Sequence, residues 1–182
     1  MAGSGFPIDS KKKTWTKSKP YKQWLRKLRL TKKVRRSTEE DLCSVKKGIC
    51  AEDLGIPRKF MPQFTLRSKP FSHKLINEFR RHVKKEYGVK SFKAKRIAKE
   101  LNPSQNEISR PRVEGLIEDN VIEKTEVPLI VSKNDYIVDG HHRWAAYRMK
   151  APKKPMEVVV IDAPIRDVLG MAIGWGAGHS AF

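Results

Sequence analysis

The sequence predicts an α/β (α+β) protein in which a basic helical region precedes a compact domain built on a sheet. Three observations carry this. Apolar residues recur at helical spacing through the first half, most strongly in Ser72–Tyr87. The period then changes to short β-branched runs between Val127 and Ile161, interleaved with helical stretches, which is the pattern of a sheet covered by helices. Charge is divided as sharply: Met1–Lys99 holds 29 Lys and Arg against 8 Asp and Glu, whereas Glu100–Phe182 holds 10 against 12.

Residues 1–20, with Gly3, Gly5, Pro7, the lysines Lys11, Lys12 and Lys13 and then Pro20, have little to bury and read as a disordered basic tail. Residues 21–90 form a basic, mostly helical region. Within it Tyr21, Trp24, Leu25 and Leu28 predict a short amphipathic helix over Tyr21–Leu30. Ser37-Thr38-Glu39-Glu40 offers a cap and acids for a helix running to Lys47 and ending at Gly48. Pro57 and Pro62 exclude a regular helix over Ile56–Gln63. From Ser72 to Tyr87 the stripe Leu75, Ile76, Phe79 and Val83 predicts a helix stopped by Gly88.

Residues 91–182 form the predicted domain. Val127–Ser132 and Tyr136–Val138 read as strands about a Lys133-Asn134-Asp135 turn, Gly140–Met149 as a helix, and Met156–Ile161 as a buried strand. A last helix starts at Asp162-Ala163-Pro164 with Asp162 as cap. The glycine-rich run Gly170–Gly178 has no phosphate-loop spacing and reads as a terminal segment packing Trp175.

The overall charge of +19 points to polyanions, since each neutralised phosphate releases counterions. Lys11, Lys12, Lys13, Arg26, Lys27, Arg29, Arg80, Arg81, Lys84 and Lys85 are the candidate nucleic-acid contacts, with DNA the expected partner. Trp15 and Trp24 among the lysines could stack on bases or serve as ordinary core contacts. No apolar run approaches the ~18 residues that span a bilayer. The lysine-bearing N-terminus lacks an apolar core behind it, so a cytoplasmic protein is expected, with no membrane partner. Cys43 and Cys50 stand seven apart without a CxxC pair, which suggests neither a disulfide scaffold nor a zinc site.

Chemistry concentrates at Asp139-Gly140-His141-His142-Arg143. A strand ends, glycine permits a tight turn, and a helix starts with unpaired N–H groups. That is an anion site before side chains are counted. His141, His142 and Arg143 add donors, and Arg143 can grip a phosphate through two parallel hydrogen bonds. A zinc site is the competing reading, and the absent i,i+4 histidine spacing argues against it.

This segment resembles the phosphate-binding motif of the ParB/sulfiredoxin-fold superfamily, in the form found in the free-serine kinase branch and in short ParB-like phage proteins. Upstream, Leu101-Asn102-Pro103-Ser104-Gln105-Asn106-Glu107 resembles the family's first box, with Lys95–Leu101 as its strand and Arg112–Glu118 as the helix after it. Pro57–Gln63 resembles a Pro-Arg-x-x-Met-Pro-Gln element of phage relatives. The resemblance implies a compact domain with a small mixed sheet and flanking helices. It implies that Gly140, His141, His142 and Arg143 hold nucleotide phosphates, that Asp139 and His141 lie beside the reacting group, and that Glu107 is the catalytic base. Pro103 and Gln105 fall on the substrate side. ATP, ADP or CTP would be the ligand, with Mg²⁺ to neutralise phosphoryl charge. Sulfiredoxins carry a cysteine where this chain has His141, so their reductase chemistry is not expected.

The expected function is therefore that of a nucleotide-binding phosphotransferase or phosphohydrolase, kinase-like and associated with nucleic acid. A DNA-binding ParB-like nuclease is the alternative, as is a phage structural or packaging protein with an idle pocket.

Overall fold

The protein is described by a computed structural model that covers residues 14–30, 41–43, 49–50, 53–64, 69–124 and 127–176. Its helices are α1 (Lys19–Leu30), α2 (Lys69–Tyr87), α3 (Arg110–Glu118), α4 (Val121–Lys124), α5 (His141–Lys150) and α6 (Ile165–Trp175). Its strands are β1 (Ser91–Arg96), β2 (Asn102–Pro103), β3 (Leu129–Ser132), β4 (Tyr136–Asp139) and β5 (Met156–Ile161). They make one mixed sheet in the order β1-β5-β3-β4-β2. β1 runs antiparallel to β5 and β3 antiparallel to β4, while the β5–β3 and β4–β2 pairs are parallel.

Because side chains alternate across a strand, the apolar runs of β3, β4 and β5 feed two separate cores. Ile130, Val138, Val159 and Ile161 point to one face, where they meet α6 together with Trp15, Trp24, Phe79 and Val83. Leu129, Val131, Ile137, Val158 and Val160 point to the other, where Trp144, Ala145, Ala146 and Tyr147 of α5 pack with Val113 of α3. The result is a helix–sheet–helix sandwich. A strand buried on both sides has no polar alternation to keep, which is why Met156–Ile161 reads as a continuous apolar run.

The helix that the spacing of Tyr21, Trp24, Leu25 and Leu28 predicts is present as α1. Its indole is fixed by a 2.7 Å bond from Trp24 Nε1 to the Phe60 carbonyl. Opposite the buried side, Lys19, Lys22, Arg26 and Arg29 are exposed and fall on one stripe of the helix. α2 extends the expected Ser72–Tyr87 segment at its N-terminal end, and Gly88 stops it with φ 68°. β5 has the expected bounds, and Asp135 takes a positive φ of 62° in the turn between β3 and β4.

Several expectations are corrected. Order begins before residue 20: Thr14–Lys17 is a 3₁₀ turn, and Trp15 is buried at 3% exposure. It lies against α6, where a Cβ on Gly170 would come within 2.1 Å of its Nε1 and one on Gly174 within 2.6 Å of its Cβ. The glycine-rich run is thus helical as far as Trp175, its small residues making room for an indole. Pro164, not Asp162, is the N-cap of α6; Asp162 instead donates its amide to the Lys90 carbonyl. The strand before the first box is Ser91–Arg96 rather than Lys95–Leu101, since Ala98–Glu100 turns as a 3₁₀ helix, and the helix after it starts at Arg110. Of the helix expected over Ser37–Lys47, only Asp41, Leu42 and Cys43 are described, and Asp41 there bridges to Ser109. Cys43 and Cys50 form a disulfide. Lys11, Lys12 and Lys13 lie outside the described residues. Among the described residues no helix is long and apolar enough to cross a membrane.

Candidate functional site

β4 and α5 form the predicted strand–turn–helix. Gly140 takes φ 105°, ψ 19°, a left-handed conformation that bulkier residues disfavour. Space is as restrictive, for a Cβ there would stand 2.7 Å from Leu129 Cγ. α5 is held behind the turn by Trp144 Nε1 on the Ala98 carbonyl at 2.8 Å and by the Tyr147 hydroxyl on the Ile122 carbonyl at 3.0 Å.

The first-box loop closes over the start of α5. Ser104 Oγ donates to the Ile137 carbonyl at 2.6 Å, and the amides of Ser104 and Gln105 donate to His141 Nε2 at 3.1 and 3.3 Å. Four residues on, the Ser109 amide donates to His142 Nε2 at 3.2 Å. The two adjacent histidines therefore pin two successive parts of one loop. As acceptors at Nε2, both rings are neutral with the proton on Nδ1. Burial holds His141 down to about 3, aided by the charge of His142. His142 is held down to about 4, by burial first and then by the charges of Arg58 and Arg112. Their Nε2 atoms are occupied within the protein, which leaves Nδ1–H as the donor of each ring.

Arg143 is buried as well. It donates to the Val127 carbonyl and pairs with Asp139 at 4.0 Å, while Asp139 Oδ2 accepts the Phe64 amide at 3.3 Å. The pair forms the floor of a cleft of about 240 Å³. Its lining brings together distant segments: Arg58 and Gln63, Gln105 and Arg112, with Gly140 and His142 at the helix start. Gln105 is itself fixed, donating to the Glu107 carbonyl. Pro103 is buried in β2, behind this loop. Glu107 is exposed beside the mouth, where its charge is felt by Arg58.

Arg58 and Arg112 were not singled out by sequence reasoning as site residues. Arg58 lay in the Pro57–Gln63 element and Arg112 follows Pro111 in the first turn of α3; nothing local in either segment shows that they meet. Neither makes an ion pair within 4 Å among the described residues, and desolvation together with the charge of Arg112 lowers the pKa of Arg58. Two guanidiniums at one mouth, above amides of a helix start, make a strongly anion-attracting space. Among the described residues no three His, Cys, Asp or Glu side chains cluster as metal ligands.

The expected nucleic-acid contacts of α1 and α2 lie on the other side of the sheet. Arg26, Lys27, Arg29, Arg81, Lys84 and Lys85 are exposed, and Arg80 reaches the edge strand through a 2.9 Å bond to Ser91 Oγ. From Ser91 the basic surface continues along that edge to Lys93. The two regions meet at one point, since Trp24 ties α1 to the Arg58–Phe60 turn that carries the cleft's Arg58.

No family model, curated protein or solved structure matches this chain.

Proposed function

We propose that the protein binds the phosphates of a nucleotide in the cleft at the start of α5 and acts as a phosphotransferase or phosphohydrolase associated with nucleic acid, as its resemblance to the ParB/sulfiredoxin superfamily implies. The single observation that carries this reading is the convergence of Arg58, Arg112 and the start of α5 on one cleft. Helix amides and guanidiniums stabilise phosphoryl charge without chemistry of their own. Within this reading the buried Arg143–Asp139 pair sets the floor, and His141 and His142 are positioning residues that hold the loop over the site. Glu107, exposed at the rim, is the group able to take a proton from an attacking hydroxyl. Mg²⁺ would accompany the nucleotide and neutralise phosphoryl charge, with Asp139, the carboxylate that lines the cleft and is already engaged by Arg143 and the Phe64 amide, as the side chain nearest to it.

The test is incubation of the protein with labelled ATP, ADP and CTP, with and without DNA and serine, followed by product analysis. A phosphorylated or hydrolysed product that disappears in Glu107→Gln, while calorimetric nucleotide affinity persists, is the expected result. Absence of nucleotide binding to the wild-type chain would overturn it.

A further inference from the structure

β1 ends the sheet. It pairs with β5 on its inner side and has no strand on its outer side among the described residues. Its side chains alternate between the two faces. Phe92 and Ala94 stand opposite Val160 and Val158, on the face covered by α5, and Lys90, whose carbonyl accepts the Asp162 amide, continues that row. Ser91, Lys93 and Lys95 stand opposite Ile161, Val159 and Glu157, on the face of α2. Phe92 is 49% exposed, although its cross-strand neighbour Val160 is buried. Among the described side chains it is the one exposed aromatic ring.

The ring's surroundings are basic. Residues 80–96 hold eight Lys and Arg against one acid, Glu86. The end of α2 is tied directly to the strand: the Gly88 amide donates to the Lys84 carbonyl, and Arg80 Nε donates to Ser91 Oγ at 2.9 Å. Lys84 lies one turn from Arg80, and Lys84, Lys90 and Lys93 are exposed. Three further carboxylates face the strand. Glu157 is engaged by Lys95 at 3.4 Å and Asp135 by Arg96 at 3.2 Å, while the exposed Asp162 lies across from Lys90. With all four acids counted, the surface keeps an excess of positive charge. Phosphates complement that charge and the face of a base complements the ring. A duplex keeps its base faces stacked on one another, so a single strand is the form that offers both. A second copy of the chain, paired edge to edge, would set the lysines of β1 against their own counterparts.

We propose that the outer edge of β1 binds single-stranded DNA, with a base stacked on Phe92 and the neighbouring phosphates held by Lys90 and Lys93. The two lysines project to opposite faces, but an edge is open to both, and both flank the ring along the chain. The proposal rests on the association with nucleic acid and adds where the DNA lies and which form of it is taken. It makes no use of the cleft at α5.

The experiment measures binding of the full chain to a labelled single-stranded oligonucleotide and to its duplex, by fluorescence anisotropy at fixed salt. Phe92→Leu keeps an apolar side chain over Val160 and removes the aromatic face. It is expected to weaken the single strand about tenfold, the scale of one stacked base, and to leave the duplex within about twofold, which also shows that the variant is folded. Phe92→Trp should retain the wild-type affinity. Lys93→Glu should weaken the single strand and flatten its salt dependence. A Phe92→Leu chain that binds the single strand as the wild type does, or that loses single strand and duplex equally, would overturn the proposal. So would a labelled glutamate-rich peptide whose binding depends on Phe92 while DNA binding does not, since the edge then serves a protein partner. A wild-type chain that binds neither form of DNA removes the association with nucleic acid itself, whereas DNA binding indifferent to Phe92 removes only this edge.

Discussion

On one face of the sheet, bulk apolar side chains settle the packing: Trp15 against Gly170 and Gly174, Trp24 under the Phe60 carbonyl, Phe79 and Val83 on α6. On the other face the decisive contacts near the cleft are polar and buried, with His141, His142 and Arg143 each spending atoms on backbone groups. The first face tolerates exposed charge on its outer side because α1 and α2 are amphipathic. On the second, the loop beside the start of α5 is held by the rings of His141 and His142 as well as by backbone bonds to Ile56.

The largest expected effect is on the polar side. His141→Ala removes the acceptor shared by the Ser104 and Gln105 amides and leaves a cavity, so it should cost about 4 kcal/mol in a denaturant titration. His142→Ala removes one acceptor from a partly exposed site and should cost about 1 kcal/mol. Equal losses would erase the distinction drawn between the two rings. On the apolar side, Gly170→Ala drives a methyl into the Trp15 indole and should cost about 2 kcal/mol without altering ligand binding at the cleft. A neutral outcome would mean that Trp15 is free to leave α6.

Acidity should act mainly through the polar side. The folded chain keeps His141 and His142 neutral down to about 3 and about 4, whereas the unfolded chain takes up protons near 6.5. Stability is therefore full above pH 6.5 and falls as pH drops toward 4, with a slope approaching about 1.4 kcal/mol per pH unit for each ring. His82, on α2, is also lowered by burial and adds in the same direction, but it is more open to solvent. Denaturant midpoints at several pH values should show the slope reduced in His142→Gln and nearly unchanged in His82→Gln. A flat profile in the wild type would contradict the neutral, acceptor state of the rings.

The fold was legible where the pattern is local. The run Met156–Ile161 and the stripe Leu75–Val83 carry their burial in their own residues, and Gly140 marks its own turn. The site was legible in position more than in detail. Adjacent histidines at a helix start look like ligand contacts because the loop that occupies them lies more than thirty residues upstream. Arg58 and Arg112 come to one cleft only through the packing of three segments. Trp15 sits in a lysine-rich stretch, and its burial is explained by glycines four apart near the other end of the sequence. The disulfide between Cys43 and Cys50 is likewise permitted by their separation without being dictated by it.

The central claim is that the start of α5 is an anion site separate from the basic stripe of α1. Amide NMR during titration with ATP reads it directly. The expected result is that the Gly140, His141 and His142 amides shift saturably while those of Lys22, Arg26 and Arg29 stay in place, and that Arg112→Ala weakens the response. Shifts spread over α1 with those three amides unmoved would contradict it.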